Sequence, residues 1–460
     1  MAEPIISVSG LRGIVGESLT PDVAVRYAAA FAAMLPPGPI VLTYDGRTSG
    51  PMLLAAISKG LNGLGRDVID FGVAATPTTG VLVRQMESAG GIQISASHNP
   101  AQWNGLKLFS REGRVIPRAA GEKVLVNYRS NKATTQQQNQ AGKIESVRNS
   151  WGCHLELVRA IVNVEHIRKR AFHVLLDSNH GAGSIVGRLL LEHLGCNATL
   201  LGGKADGQFA HLPEPTAENL ASVLPKVVEK QCDIGFCQDP DADRLAVIDE
   251  KERYIGEEYT LAICVDHVLR QRPGPVLTNC STSRMTEDLA KKYGVPFFRS
   301  AVGEANVVDA MLKHGAVLGG EGNGGVIDSR VVLVRDSFTA MALILDAMAA
   351  RNLPVSALAD ELPRYEICKT KISLPKEKLN AGLAAIEKHF SGTLTPALSQ
   401  REREKPTVDR LDGLRLDWDN KWLLVRGSNT EPIVRAIAEA PVAAEAERLC
   451  REATGALQSA

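Results

Sequence analysis

The sequence predicts an α/β protein of three similar α/β domains followed by a C-terminal α+β domain. Three observations carry this expectation. Short runs rich in Val, Ile and Leu alternate with amphipathic segments, as layered α/β structure requires. That rhythm restarts twice along the chain. The last stretch, 365–460, breaks it. At 460 residues the chain is also too long for one core.

In the first domain, Pro39–Tyr44, Asp67–Phe71 and Gly91–Ser95 read as strands, with helical patterns between them. The polar stretch Ser130–Gln140 has nothing to bury and reads as an exposed loop near a boundary. His173–Asp177, Ala198–Leu201 and Asp233–Cys237 supply the strands of the second domain. Pro275–Asn279, Val295–Arg299 and Ala316–Gly320 supply those of the third. The final domain reads as a strand over Glu366–Leu374, a helix, strands around Leu414 and Trp422, and a closing helix after Pro441. Boundaries are drawn at 1–150, 151–257, 258–364 and 365–460. Thr393–Pro406 has neither helical nor strand periodicity and reads as a solvated, functionally silent insertion.

Charge narrows the function. Lys+Arg and Asp+Glu both total 52, so no net field recruits nucleic acid or a membrane surface. The eight cysteines form no C-x-x-C pair, which reads as reduced thiols in a cytoplasmic protein. Met1–Gly10 carries neither a basic nor an apolar leader region. The most apolar helical stretch, Thr339–Ala350, contains Asp346 and is too short to span a bilayer.

Four loops carry chemistry. Ser95–Pro100, S-A-S-H-N-P, follows a buried strand, and local reasoning does not choose between its two serines as nucleophile or turn cap. Gln238–Arg244, Q-D-P-D-A-D-R, places Asp239, Asp241 and Asp243 at alternate positions between two apolar strands. Three carboxylates so close repel one another unless a hard divalent cation neutralises them. An EF-hand reading fails, because Arg244 stands at the glycine position and a strand follows; a solvated acidic turn stays open. Val425–Arg435, V-R-G-S-N-T-E-P-I-V-R, presents Arg426, Ser428, Asn429, Thr430 and Arg435, the donor set of an anion nest, against the alternative of a plain hairpin turn. Gly319–Gly325, G-G-E-G-N-G-G, offers Glu321 and Asn323 to sugar hydroxyls; a flexible glycine turn reads equally well.

Taken in order, these loops resemble those of the α-D-phosphohexomutase superfamily along the whole chain, one loop per domain. Supporting stretches are S-G-L-R-G at Ser9–Gly13, D-G-R at Asp45–Arg47 and P-E-P-T-A-E-N-L at Pro213–Leu220. The resemblance implies four domains, with mixed sheets in the first three, around a central cleft. It implies Ser97 as the phosphorylated residue and Mg²⁺ held by Asp239, Asp241, Asp243 and the phosphoryl group on Ser97. The implied catalytic set is Ser97, His98, Lys107 and Arg244, with Lys107 as general acid/base at a lowered pKa. Arg12, Glu321, Asn323, Arg426, Ser428, Asn429, Thr430 and Arg435 would bind the substrate. A hexose bisphosphate is the implied intermediate and activator, and the protein is expected as a monomer or homodimer.

Relatives often carry serine and histidine where Asn323 and Gly325 stand here, so a role for that histidine does not carry over. Pro240 and Ala242 replace frequent glycines and stiffen the metal loop. I-S-A-S-H-N-P and N-G-L-K-L-F-S look most like the phosphoglucosamine mutase branch, whereas G-E-G-N-G-G also looks like mutases of glucose and mannose phosphates. Two rival readings are an aspartyl-phosphate phosphatase using Asp239 and a catalytically silent sugar-phosphate binding protein.

Overall fold

Four separate sheets form in chain order. The computed structural model describes residues 3–7, 10–130, 140–391, 405–427 and 433–458. The interiors of the two expected loops Ser130–Gln140 and Thr393–Pro406 therefore lie outside the described residues, as do Ser9, Ser428, Asn429 and Thr430.

The first sheet holds β1 (Ile5–Ser7), β2 (Gly10–Ile14), β3 (Ile40–Tyr44), β4 (Val68–Val73), β5 (Gly90–Ile94), β6 (Trp103–Ser110) and β7 (Ile144–Ser146). Its order is β1-β2-β6-β5-β3-β4-β7, with β5, β3, β4 and β7 parallel and β6 antiparallel to β5. The second holds β8 (His173–Asp177), β9 (Asn197–Leu201), β10 (Ile234–Gln238) and β11 (Leu245–Asp249) in the order β11-β10-β8-β9. The third holds β12 (Val276–Asn279), β13 (Phe297–Ser300), β14 (Leu318–Glu321) and β15 (Gly325–Ile327) in the order β13-β12-β14-β15. In both, three parallel strands end in an antiparallel edge hairpin.

The strand run β6-β5-β3-β4 repeats this arrangement inside the first sheet. The serine loop (β5–β6), the acidic loop (β10–β11) and the glycine loop (β14–β15) thus occupy one topological position in three copies of a motif. Each leaves the C-terminal end of a buried parallel strand, where open α/β sheets place ligands.

The fourth sheet is wholly antiparallel: β16 (Glu366–Ser373), β17 (Thr407–Asp409), β18 (Leu414–Asp417), β19 (Trp422–Gly427) and β20 (Ile433–Ala440), in the order β16-β20-β19-β18-β17. Helices Leu379–Ser391 and Ala443–Gln458 accompany it.

Two strands start later than the sequence suggests, for one reason. Helices Met285–Tyr293 and Glu304–His314 each end on a left-handed glycine, Gly294 and Gly315. The following residue, Val295 or Ala316, then donates its N–H back into the last turn, to Ala290 or Met311, and is used in closing the helix. Helix Glu257–Gln271 begins at the boundary drawn after 257, one residue after Gly256.

Helix Ser337–Arg351 explains why the third unit does not stand alone. Asp336 caps it, accepting from Phe338 N at 2.9 Å, and nearly every residue from Ser337 to Met348 is buried. A helix apolar all round must be enclosed. Here it packs on helices Glu257–Gln271 and Val164–Arg170, so one core runs through Val81, Phe236, Phe338 and Leu345 across the first three units. Among the described residues no helix is long and apolar enough to cross a membrane. The C-terminal unit has its own core, including Leu414, Val425 and Leu449. It docks on the third unit where Glu439 accepts from both Trp422 Nε1 (2.8 Å) and Arg284 N (3.0 Å).

Candidate active site

The serine loop is held from beneath by an arginine. Arg47 is almost fully buried and donates to the carbonyls of Ser97 (2.6 Å), Asn99 (2.7 Å), Pro100 (2.8 Å) and Trp103 (3.1 Å), while its Nε donates to Asp45 at 3.0 Å. The two serines have different jobs. Ser95 Oγ donates to Asp45 Oδ2 at 2.7 Å and accepts from Ser97 N at 2.8 Å, so it closes the turn. Ser97, at φ +49°, is forced into the left-handed region, a strain of about 1–2 kcal/mol for a side chain without such support. That backbone turns its hydroxyl to Asp239 Oδ2, 2.7 Å away.

The acidic loop joins all three α/β units. Thr76 N donates to Asp241 O at 2.9 Å and Thr76 Oγ1 to Asp241 Oδ2 at 2.5 Å, from the first unit. From the third, Ser337 N donates to Ala242 O at 3.2 Å, and Leu245 N at the loop's end donates to Gly324 O at 3.1 Å. Asp239 Oδ1 accepts from the N–H groups of Asp243 and Arg244, each at 3.1 Å. Ala242 sits at φ +56°, which glycine would adopt freely.

Asp239, Asp241 and Asp243 are fully buried, and their oxygens lie within 4.8 Å of one another. Lys107 Nζ, from β6, reaches Asp241 Oδ2 at 2.5 Å and Asp243 Oδ2 at 2.7 Å. Arg335 Nη2 adds a contact to the same Asp243 oxygen at 2.6 Å. Asp241 Oδ1 and Asp243 Oδ1 are left buried with no hydrogen-bond partner, while Asp239 Oδ2 meets the Ser97 hydroxyl. Buried acceptors of this kind cost free energy unless something meets them. An all-oxygen set with orphaned acceptors fits a hard divalent cation such as Mg²⁺.

The charges fall unevenly. Burial, with Asp241 and Asp243 adding repulsion, raises the Asp239 carboxyl well above the usual range. Burial also presses on Asp243, but Arg335, Lys107 and Arg244 together hold it below. The expected lowering of the Lys107 pKa is reversed. Burial does favour the neutral amine, but the direct carboxylate contacts outweigh it and hold Lys107 as an ammonium. His98 Nδ1 lies 3.3 Å from Ser97 Oγ, and Arg244, then burial and Arg12, push its pKa down to about 2, so the ring is neutral. Arg244 stands 3.9 Å from Asp243 and 3.5 Å from Glu214. Arg12, on β2 beside β6, donates to Asn99 at 3.2 Å.

The glycine loop is a hairpin turn. Glu321 ends β14 opposite Gly325, and its carboxylate is gripped by Asn279 Nδ2 (2.8 Å), Gly303 N (3.2 Å) and Arg335 Nη1 (2.6 Å). Asn323 sits at the turn with Oδ1 buried and unpaired. Arg426 and Arg435 face each other across β19 and β20. Arg426 Nε donates to Asp412 Oδ2 at 2.8 Å, and Val302 N of the third unit donates to the same oxygen at 3.0 Å. Among the described residues no hydrogen bond or ion pair joins Arg426 or Arg435 to Ser97 or the three aspartates.

Sequence reasoning assigned no role to Arg47, Thr76, Asn279 or Arg335. Arg47 lay within a stretch read as supporting, and Arg335 immediately precedes the Asp336–Ser337 helix start, a capping signal legible in the sequence.

Known proteins match the whole arrangement. Family models for the phosphoglucomutase/phosphomannomutase α/β/α domains I, II and III match residues 5–135, 153–253 and 257–365, and the C-terminal domain model matches 372–456. A phosphoglucomutase/phosphomannomutase of Thermococcus kodakarensis is 35% identical over 94% of this chain and 93% of its own. A probable phosphoglucosamine mutase of Pyrococcus horikoshii is 32% identical over 98% and 97%. Among solved structures, a phosphoglucomutase/phosphomannomutase family protein of Burkholderia thailandensis superposes with a TM-score of 0.80 at 26% identity, covering 99% of this chain and 98% of its own. With four domain models in register and a serine hydroxyl set against an acidic triad, the chain belongs to the phosphoglucomutase/phosphomannomutase family of the α-D-phosphohexomutase superfamily, isomerases that transfer a phosphoryl group within a hexose phosphate.

Proposed function

We propose that this phosphohexomutase works through phospho-Ser97 and a hexose bisphosphate, exchanging phosphate between the 6- and 1-positions. The observation that carries the reading is the 2.7 Å contact between Ser97 Oγ and Asp239 Oδ2. In the first half-reaction the bond from the Ser97 oxygen to phosphorus breaks as a free sugar hydroxyl oxygen bonds to that phosphorus. The sugar hydroxyl gives up a proton and the departing Ser97 oxygen gains one. The second half-reaction reverses this with the other phosphate of the turned-over bisphosphate.

Asp239, Asp241 and Asp243 are the residues that would hold Mg²⁺, which when bound offsets phosphoryl charge. Lys107, an ammonium beside this triad, gives its proton to the departing Ser97 oxygen and, as the neutral amine, takes up the proton released by the sugar hydroxyl, which restores it. His98 and Arg244 flank the phosphoryl position, with Arg12 on the adjacent wall. Glu321 and Asn323 would take sugar hydroxyls in either orientation. Arg426, Ser428, Asn429, Thr430 and Arg435 would hold the phosphate that is not reacting. Domain cuts at 150, 257 and 364 leave one such loop on each domain.

The substrate we assign is glucosamine phosphate. Relatives from Thermococcus gammatolerans and Pyrococcus abyssi, each 32% identical, share with the Pyrococcus horikoshii protein the name probable phosphoglucosamine mutase. The Thermococcus kodakarensis relative, named for glucose and mannose phosphates, favours a second reading as phosphomannomutase/phosphoglucomutase. All eight cysteines are free thiols, which suits a cytoplasmic location. Turnover of glucosamine 6-phosphate is compared with that of glucose and mannose 1-phosphates, in the wild type and in Ser97→Ala. The reading expects glucosamine 6-phosphate to be preferred and Ser97→Ala to be inactive. No glucosamine activity removes the first assignment, and an active Ser97→Ala removes the mechanism.

A further inference from the structure

We infer that Arg335 is a positioning residue that locks the sugar loop to the metal loop, setting Glu321 at a fixed distance from the phosphoryl site. The inference rests on the roles proposed above for Glu321 and Asp243. One guanidinium spans both loops: Nη1 meets Glu321 Oε2 and Nη2 meets Asp243 Oδ2, each at 2.6 Å. Arg335 is itself buried, at 9% exposure. Its backbone is fixed too, since its N–H donates to Glu304 Oε1 at 2.7 Å and the next residue caps a buried helix.

A second observation points the same way. A Cβ placed on Gly325 would stand 2.3 Å from Arg335 Cδ. Gly325 therefore leaves the channel through which the arginine stem reaches the site. Gly324, at φ +80°, completes the fit: its carbonyl takes Leu245 N at 3.1 Å, and a Cβ there would lie 2.2 Å from Leu245 O. The two loops touch through backbone as well as through this side chain.

The geometry also divides the Asp243 carboxylate. Arg335 and Lys107 take Oδ2 and leave Oδ1 without a hydrogen bond, 3.9 Å from Arg244 Nε. A cation this close opposes a metal ion electrostatically while holding the sugar loop. Removing it therefore acts in opposite directions on the two ligands, which a purely structural residue would not do.

The test is Mg²⁺ titration by calorimetry together with steady-state kinetics on the full chain. Arg335→Gln is expected to bind Mg²⁺ about tenfold more tightly, while the KM for hexose phosphate rises about tenfold or more. Arg335→Lys is expected to keep wild-type Mg²⁺ affinity but still raise KM, because one ammonium cannot form the two-armed grip. Gly325→Ala should raise KM in the same direction, and the Gly325→Ala/Arg335→Gln pair should be no worse than Arg335→Gln alone. Unchanged KM in both Arg335 variants overturns the inference. So does an equal weakening of metal and substrate with a fallen Tm. The titration needs no turnover, so a wrong substrate assignment shows in the wild-type assay and a wrong role for Arg335 in the titration.

Discussion

Ser97 Oγ donates to Asp239 Oδ2 at 2.7 Å, although 142 residues separate them in the chain. The contact exists because two copies of one strand motif present equivalent hairpin loops to each other. The acidic loop is also tied to the first unit at a second point, where Thr76, at the start of the helix after β4, donates to Asp241. The Ser97 hydroxyl and the acidic triad thus meet across two units of the fold.

The neighbouring serines separate by experiment. Ser95→Ala leaves the buried Asp45 carboxylate and the Ser97 N–H short of a partner, so it should lower stability by about 1–3 kcal/mol and reduce turnover through a loosened loop. Ser97→Ala removes a hydroxyl that closes no turn and leaves only Asp239 Oδ2 without its donor, so it should lower Tm less than Ser95→Ala while turnover disappears. Thermal melts beside assays distinguish the two patterns. Equal destabilisation by both substitutions would contradict the division of labour.

Arg47→Met tests the support beneath the loop. Four carbonyls would lose their donor and Asp45 its buried partner, so unfolding free energy should fall by about 3–5 kcal/mol. Denaturant titration measures it. A loss below about 1 kcal/mol would mean that the loop holds its shape without this side chain.

Glu258 supplies a pH signature. Burial pushes its carboxyl from 4.5 up to about 8, and its oxygen accepts from Ser283 N at 2.9 Å. Between those values the folded protein keeps a proton that the unfolded chain has lost. Its contribution is therefore full below about pH 4.5 and falls as pH rises to about 8. Glu258→Gln should remove that slope, so its Tm should gain on the wild type across this window and hold a constant lead above it. Parallel Tm curves would contradict the shift.

Much of this was legible in the sequence, for reasons that can be stated. The triad at Asp239, Asp241 and Asp243 could be read because three carboxylates at alternate positions repel one another unless a cation or solvent meets them, and their burial decides against solvent. The strand pattern could be read because parallel strands are continuously apolar. Ser97 could not be separated from Ser95 on local grounds, since the difference lies in which hydroxyl faces Asp45 from another strand. Arg335 and Arg47 act on loops that only the fold brings near them. For Lys107, the role implied by the resemblance called for a lowered pKa, whereas the structure places its ammonium directly on two carboxylates. The strained φ of Ala242 is likewise a property of the closed loop, invisible in residue type.

Metal dependence follows from the orphaned oxygens. Chelation should abolish turnover and added Mg²⁺ restore it. Asp241→Asn should cost more than about 100-fold in kcat/KM, as expected when several kcal/mol of phosphoryl-charge stabilisation is lost. Full activity in excess chelator would contradict the site.

The most direct measurement of the central claim is the site and chemistry of phosphate on the protein. After incubation with a hexose bisphosphate, intact mass and peptide mapping should find one added phosphoryl group, stable to acid, on Ser97 and absent from Ser97→Ala. A hydroxylamine-labile phosphate on Asp239, or none on either residue in an enzyme that turns over, would contradict the account.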